Sequence, residues 1–258
     1  MLIAGKIFSF WALIVLSSVF AWLTAQARAG KNLKIRRIGG LDALDEAVGR
    51  ATEMGRPVHF SPGIVGLTHE RSPQTLAGLA VLSHVSHLTA RYNTPLVTTI
   101  ALPDVYVMAD DVVRQAYLAE GRPDAYKPDL VRFVGAEQFA YAAAAVGIMY
   151  REKVAANIMI GSWLAEALLL TEAGAQTGGI QITGTATVAQ LPFMVVASDY
   201  CLIGEEIYAA GAYLSKDPNQ SASVVGQDIA KVVTVALLVI GGLLSIVKSP
   251  LLINLLAK

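Results

Sequence analysis

Residues 157–183 read NIMIGSWLAEALLLTEAGAQTGGIQIT, and this stretch decides the fold. A short apolar run, Asn157–Ile160, is followed by a helical pattern over Trp163–Ala173 and by a second run, Ile180–Thr183. Short runs rich in β-branched residues are typical of strands buried on both faces, and a helix between two such strands favours their parallel pairing. The stretch therefore predicts one strand–helix–strand unit of a parallel sheet.

The same alternation continues on both sides of this unit. The other apolar runs are Val58–Phe60, Leu96–Leu102, Leu130–Val134 and Phe193–Ala197. The remaining helical patterns are Leu41–Met54, Pro73–Tyr92 with Ser72 as its expected N-cap, Val105–Ala119, Ala136–Lys153 and Ile203–Ser215, and Gly174 is the expected stop of the Trp163–Ala173 helix. We predict a doubly wound, Rossmann-like three-layer α/β domain over residues 29–228, with a mostly parallel sheet.

In such a fold, ligands bind in a crevice at the carboxyl ends of the strands. The residues that follow the apolar runs should meet there and form a small, polar rim. The candidate ligand-binding residues are Ser61, Gly63, Gly66, His69, Asp104, Glu137, Ser162, Glu166, Thr185 and Asp199.

The rim residues do not define a reaction. Gly63, Gly66 and the Gly161-Ser162 pair could bind phosphate through backbone N–H groups, but the sequence has neither G-x-G-x-x-G nor a Walker A motif. The histidines all lie between residues 59 and 87, and their spacing does not supply the ligands of a zinc site. Glu166 is either a general acid or base in apolar surroundings or a carboxylate that favours a helix N-terminus. We assign no catalytic residue, metal ligand or cofactor.

Two long apolar stretches flank the predicted domain. Ile7–Ala27 is an uncharged run of 21 residues, enough to cross a hydrocarbon core of about 30 Å. Val232–Val247 is shorter, but lysines at both of its ends can snorkel and extend the span. We predict one transmembrane helix in residues 1–28 and one in 229–258, where the apolar run 251–257 either continues the span or lies in the interface. Ala25-Gln-Ala27 and Ala27-Arg-Ala29, at the end of the first stretch, also fit the cleavage site of a signal peptide, although the run is longer than the usual apolar region of such peptides.

The charges are unevenly distributed along the chain. Residues 42–228 contain 20 acidic and 11 basic residues, a net charge of −9, and this excludes nucleic acid as a partner. Five basic residues lie within 28–37, directly after the first apolar stretch. Since basic residues flanking a membrane helix stay on the cytoplasmic side, we expect a two-pass protein of the cell membrane with a cytoplasmic α/β domain.

Apolar and small residues predict self-association. Ser17, Ala21 and Ala25 recur every four positions in the first terminal stretch, as do Gly241 and Ser245 in the second, and such faces let membrane helices pack closely. Residues 154–203 contain only three charges, so part of their apolar surface should be covered by another protein. We expect a homo-oligomer in the lipid bilayer, with other membrane proteins as further candidate partners.

Phe60-Ser-Pro-Gly63 and the long apolar body from Asn157 to Ala212 resemble an uncharacterised bacterial and archaeal membrane-protein family. This family is a domain of unknown function in which an α/β domain carries a transmembrane helix at each end. The resemblance implies membrane attachment and no catalytic residues.

Two hypotheses for the function follow. The first is a membrane-anchored, non-enzymatic scaffold or accessory protein that assembles through its α/β domain and its transmembrane helices. The alternative is a membrane-tethered domain that binds a small ligand, such as a nucleotide or an anion, or acts as an enzyme. The alternative needs an open pocket with convergent polar groups, whereas a scaffold can fill the same crevice with its own side chains.

Overall fold

The computed structural model describes residues 7–30, 39–215 and 217–246, which form two compact units. One unit is Arg37–Ser215 and contains the sheet, and the other combines Met1–Arg36 with Lys216–Lys258. In chain order the helices and strands are α1 (Ile7–Arg28), α2 (Gly39–Met54), β1 (Val58–Gly63), α3 (Ser72–Tyr92), β2 (Leu96–Ile100), α4 (Pro103–Ala119), β3 (Val131–Phe133), α5 (Gln138–Glu152), β4 (Ala156–Ser162), α6 (Glu166–Thr177), β5 (Ile180–Thr185), α7 (Leu191–Ala197), β6 (Tyr200–Ile203), α8 (Glu206–Ser215) and α9 (Pro218–Ile246).

The six strands form one parallel sheet in the order β3-β2-β1-β4-β5-β6. Val58 of β1 pairs with Leu96 of β2 on one side and with Ala156 of β4 on the other. This is the strand order of dinucleotide-binding domains, in which the order reverses between β1 and β4. The predicted Rossmann-like α/β fold is therefore confirmed.

Helices cover both faces of the sheet and complete three layers. On one face α2, α3, α4 and α8 bury apolar strand residues such as Phe60, Ile158 and Ile182. On the other face α5, α6 and α7 pack around Met159 and Trp163. Each face thus has its own apolar cluster, as expected for a doubly wound sheet.

The expectations for residues 193–203 are wrong. Phe193–Ala197, predicted as a strand, lies in helix α7, and the sixth strand is Tyr200–Ile203. Helix α8 begins at Glu206 rather than at Ile203. A short apolar run cannot be assigned to strand or helix from periodicity alone, and Pro192 in the first turn of α7 favours the helix.

Two expected helix ends also differ. The N-cap position of α3 is Arg71, without a side-chain cap, and Ser72 is already the first helical residue. Helix α6 continues past Gly174 and ends at Thr177, and its C-cap Gly178 adopts the left-handed conformation at φ 69°. Gly174 serves packing instead, because a Cβ there would lie 2.2 Å from Oε1 of Gln181.

In the second unit, α1 and α9 pack against each other. Leu23 and Ala27 of α1 bury Ala222 of α9, and a Cβ on Gly226 would lie 2.5 Å from the ring of Phe20. Both helices are long and apolar enough to cross a membrane, over Ile7–Arg28 and Pro218–Leu244.

Helix α9 includes residues 218–228, which were expected to belong to the α/β domain. The expected small-residue face of α1, Ser17, Ala21 and Ala25, is exposed and so is not the surface that contacts α9. The question of whether 251–257 spans the bilayer lies outside the described residues.

Candidate functional site

The expected crevice lies where the carboxyl ends of β1 and β4 meet. The register of the two strands pairs Gly63 with Ser162, and the Ile64 N–H donates to the Ser162 carbonyl at 3.2 Å. A Cβ on Gly161 would lie 1.9 Å from the Pro62 carbonyl oxygen. The two backbones therefore fill the space between the strand ends. Because Gly63 and Gly161 have no side chain, the two backbones can make this close contact. Backbone groups that are packed in this way are not open to a phosphate.

Helix α3 covers the same strand ends. A Cβ on Gly78 would lie 2.2 Å from the Ile160 carbonyl oxygen, so the helix backbone approaches the end of β4 directly. The buried Gln74 side chain accepts hydrogen bonds from the Ala186 N–H at 2.9 Å and from the Thr185 hydroxyl at 3.2 Å. Thr185 is therefore buried and bonded to the chain itself.

The two serines among the candidates are also buried. The Ser162 hydroxyl lies 3.4 Å from that of Thr187, and the Ser61 hydroxyl lies 2.6 Å from the Tyr141 hydroxyl. Both serines are directed to side chains of the same chain. The central part of the expected crevice is therefore an internal polar contact.

Glu166 is a fully buried carboxylate in the first turn of α6. Its Oε1 accepts a hydrogen bond from the Leu164 N–H at 2.8 Å, and its Oε2 accepts one from Nε2 of Gln138 at 2.6 Å. The carboxylate thus fixes the turn before α6 and links α6 to the start of α5. Trp163, which precedes Leu164 in the sequence, is buried, and its Nε1 has no hydrogen-bond partner in the described part of the chain.

The exposed rim candidates organise loops and helix ends. The Asp104 carboxylate accepts from the Leu67 N–H at 2.8 Å, and Gly66 lies close enough that a Cβ would be 3.0 Å from Asp104 Oδ2. Nδ1 of His69 accepts from the Arg71 N–H at 3.1 Å. Each interaction satisfies a backbone donor that the local chain leaves open.

Glu137 is the N-cap residue of α5. Its Oε2 accepts a hydrogen bond from the Ala140 N–H at 2.6 Å. This contact satisfies one of the free N–H groups in the first turn of the helix, as capping carboxylates do.

Asp199 does not lie at the carboxyl edge of the sheet, and this expectation is wrong. It precedes β6 instead of following a strand, because the apolar run before it is helix α7. Its Oδ2 accepts from the N–H of Gln181 at the start of β5, at 2.7 Å. Asp199 therefore borders the opposite edge, where it lines a cavity of about 380 Å³ together with Arg50, Gly178, Gly179 and Gln181.

A buried polar network, which was not expected from the sequence, runs across the sheet beneath α5 and α6. The His59 ring lies 2.8 Å from Asn157 Oδ1 and 2.9 Å from the Thr99 hydroxyl. The Thr99 hydroxyl lies 3.0 Å from the Tyr141 hydroxyl, and Asn157 donates to Gln181 Oε1 at 2.9 Å. The network therefore joins β2, β1, β4 and β5 to helix α5.

The network is uncharged at neutral pH. Burial lowers the pKa of His59 to about 4, although the Asn157 hydrogen bond opposes this shift. Burial also raises the pKa of the Tyr141 hydroxyl to about 12. A general base that works at physiological pH needs a pKa near that pH and contact with a substrate. The network has neither property, and its polar groups form hydrogen bonds with one another.

A signal for this network was present in the sequence. Each of four strands carries one polar residue of the network: His59, Thr99, Asn157 or Gln181. The next position along the strand is a core residue, such as Phe60 after His59 or Ile158 after Asn157. Alternate strand positions face opposite sides of the sheet. The polar residues therefore marked the face that α5 and α6 cover.

The remaining histidines and the cysteine have structural contacts. His87 Nδ1 lies 3.0 Å from Glu120 Oε1, and His84 Nε2 lies 3.9 Å from Asp45 Oδ1. Burial raises the pKa of the half-buried Cys201 thiol. Within the described residues, no group of three or more His, Cys, Asp or Glu side chains could hold a metal ion.

The outer surface of α5, α6 and α7 is apolar and exposed. We define the α5–α7 face by the exposed side chains Phe139, Ala143, Leu164, Leu168, Leu169, Phe193, Val195 and Val196. Helix α6 packs on both α5 and α7, so the three helices lie next to one another, and α6 also exposes Glu172. By contrast, the outer surface of α2 and α4 exposes many charges, including Asp42, Asp45, Glu46, Glu53, Asp111 and Arg114.

The chain belongs to a family described as a domain of unknown function, DUF6754, whose model matches residues 1–256. The expected resemblance to an uncharacterised family with an apolar helix at each end of the chain is thereby confirmed. Neither a curated protein nor a solved structure matches the chain.

Proposed function

We propose that this protein is a membrane-anchored, non-enzymatic scaffold whose cytoplasmic α/β domain self-associates through the α5–α7 face. The observation that carries the proposal is the difference between the two outer surfaces of the domain. Charged side chains predominate on the layer of α2 and α4, which also exposes Val107, Met108 and Leu118, whereas large apolar side chains predominate on the exposed surface of α5, α6 and α7. Exposed apolar patches of this kind mark protein contacts in soluble domains.

The size of the face is sufficient for association. Its seven large side chains are between 38% and 88% exposed, which corresponds to roughly four fully exposed side chains. Burial of each is worth about 1.5–3 kcal/mol, so covering the face contributes roughly 6–11 kcal/mol. Association costs at least about 4 kcal/mol in lost freedom, and common anchoring in one membrane reduces that cost.

A second copy of the chain is the partner that fits this face best. An apolar surface can cover the same surface of an identical copy, because a two-fold axis makes such a contact self-complementary. An axis along the membrane normal also lets every copy keep the same orientation in the bilayer. A cyclic assembly, of which the two-fold dimer is the smallest, meets both conditions.

The contacts at the strand ends support a scaffold over a ligand-binding enzyme. Gly63, Gly161 and Gly78 bring three pieces of backbone together at the point where related folds bind their ligands. Ser61, Ser162 and Thr185 form hydrogen-bonding contacts with other residues of the chain. The groups that a substrate would need are therefore used by the fold.

The placement in the membrane rests on the two terminal helices and on charge. Helices α1 and α9 have the length and composition of membrane spans. The basic residues within 28–37 favour a cytoplasmic position for the α/β domain. Other membrane proteins that assemble with the scaffold would meet it in or next to the bilayer.

A matched pair of charge substitutions tests the self-association. Leu168 is 50% exposed on the α5–α7 face, and Val107 is 68% exposed on helix α4. Leu168→Glu should shift the detergent-solubilised oligomer towards smaller species, since it places a charge in the contact, whereas Val107→Glu should leave it intact. Sedimentation of both variants makes the comparison. Equal behaviour of the two variants would contradict the assignment of the contact to this face.

A further inference from the structure

Asp228 and Lys231 form an ion pair on α9. Asp228 Oδ1 lies 3.2 Å from Lys231 Nζ, and the two side chains are 65% and 45% exposed. Gly226 faces Phe20 of α1, and Asp228 lies two residues further on, about 200° around the helix axis. The ion pair is therefore on the side of α9 that is turned away from α1.

The contacts between the two helices fix the level of this pair. Arg28 of α1 donates to Asn219 at 2.9 Å, and Phe20 of α1 packs on Gly226, so the helices run antiparallel. Asp228 and Lys231 are two and five residues beyond Gly226. Both helices rise by the same amount per residue, so the pair is level with about residues 15–18 of α1.

These residues of α1 are the middle of the uncharged run Ile7–Ala27. A helix that crosses the bilayer with this run places residues 15–18 near the centre of the hydrocarbon core. The Asp228–Lys231 pair then lies at the same depth. This step rests on the proposed insertion of α1 and α9 into the membrane, and it moves the second span from the expected Val232–Val247 to the earlier part of α9, within Pro218–Leu244.

Charged side chains in the hydrocarbon core normally face protein or water. An exposed pair on the outer side of a two-helix unit would face lipid in a single copy. We infer that a second copy of the chain covers this side of α9, so that Asp228 of each copy pairs with the partner's Lys231. The contact lies within the membrane and is separate from the α5–α7 face.

Charge complementarity identifies the occupant as a second copy. Two α9 helices related by a two-fold axis along the membrane normal are parallel, and positions three residues apart that lie on the contact side of each helix, like a and d in a coiled coil, come close in both directions. An acidic and a basic residue at that spacing therefore form two equivalent pairs. A shallow, open groove continues from this point along α9 and is lined by Lys231, Val232, Val235, Ala236, Val239 and Ile240. Its apolar lining suits the side chains of a second α9 helix.

Charge reversal between two tagged chains tests the pair. Asp228→Lys gives a chain with two positive charges at these positions, and Lys231→Asp gives a chain with two negative charges. In a Leu168→Glu background, which disrupts the α5–α7 contact, the two co-expressed variants should co-purify as chains with Leu168→Glu alone do, whereas each variant should recover itself at least about ten-fold less. An ion pair that acts only within one helix cannot be restored in this way, so equal recovery of mixed and like chains would overturn the inference.

Cysteine cross-linking in membranes gives a second reading that does not depend on charged variants. Val235 lies on the same side of α9 as Lys231, about 40° away, and Val233 lies about 200° away. In a Cys201→Ser background, Val235→Cys should form disulfide-linked dimers, and Val233→Cys should not. Absence of the Val235 cross-link, or equal cross-linking at both positions, would overturn the inference.

Carbonate extraction separates this inference from the proposed function. If carbonate releases the wild-type chain from membranes, the proposed anchoring itself fails. If the chain stays in the membrane and is oligomeric, but mixed and like charge variants recover equally, only the Asp228–Lys231 contact fails.

Discussion

The Tyr141 hydroxyl lies 2.6 Å from the Ser61 hydroxyl and 3.0 Å from that of Thr99, so one side chain of α5 holds the ends of two strands. Tyr141→Phe leaves these buried hydroxyls without that partner and should lower the free energy of unfolding by about 1–3 kcal/mol. Tyr150→Phe is the matched control on the same helix, since Tyr150 is exposed and bonds Gln176 at the surface. Chemical denaturation in detergent should show a loss for the first variant alone. An equal loss for both would contradict the role of the network.

The buried His59 makes stability depend on pH. Its pKa falls from 6.5 in the unfolded chain to about 4 in the fold, so between these values the unfolded state binds a proton that the folded state does not. The contribution of the neutral His59 side chain to the free energy of unfolding is complete above pH 6.5 and is lost as the pH falls towards 4. Relative to His59→Gln, the wild type should lose about 2 kcal/mol of unfolding free energy between pH 7 and pH 5.

The control for this experiment is His69→Gln, because His69 is exposed and bonds only its own loop in the described contacts. This variant separates the loss of the buried imidazole from the loss of an exposed one. A His59→Gln profile parallel to that of the wild type between pH 7 and pH 5 would show that His59 does not titrate as proposed.

Glu166 should contribute to the stability of the fold. Glu166→Gln removes an acceptor from a buried site in which both oxygens receive hydrogen bonds, from the Leu164 N–H and from Gln138. We expect a loss of about 1–3 kcal/mol in the free energy of unfolding, with the fold retained. Glu172→Gln changes an exposed carboxylate of the same helix that bonds Gln176, and its effect should stay within about 0.5 kcal/mol. A bound ligand or metal at Glu166 in an experimental structure would contradict this role.

The fold could be predicted from the sequence because the strand–helix–strand pattern around residues 157–183 is regular. The prediction failed where an apolar run was too short to show a period, as at Phe193–Ala197. Because of that error, Asp199 was expected at the wrong edge of the sheet. Pro192 was the local signal for a helix there.

The candidate site was harder to predict than the fold. Gly63 and Gly161 have the residue type of a phosphate-binding turn, but whether a glycine serves a ligand or a close backbone contact depends on the distance to a remote strand. The polar network likewise depends on which side of each strand a helix covers. The spacing of residues within one segment shows neither the distance to a remote strand nor the side of a strand that a helix covers.

Labelling of intact cells tests the orientation in the membrane. Asp124 is exposed on the α/β domain, and in a Cys201→Ser background Asp124→Cys provides one reactive thiol. An impermeant thiol reagent should label it only after the cells are opened, because the basic residues within 28–37 favour a cytoplasmic domain. Gly5→Cys, before the first membrane helix, should react in intact cells. Labelling of Asp124→Cys in intact cells would reverse the orientation.

Self-association is the central claim, and the mass of the detergent-solubilised protein tests it most directly. Light scattering combined with size-exclusion chromatography separates the protein mass from that of the bound detergent. We expect a protein mass of two or more times 27.3 kDa, because the α5–α7 face is too apolar to remain uncovered. A single 27.3 kDa chain in each micelle, at every protein concentration tested, would contradict the proposal.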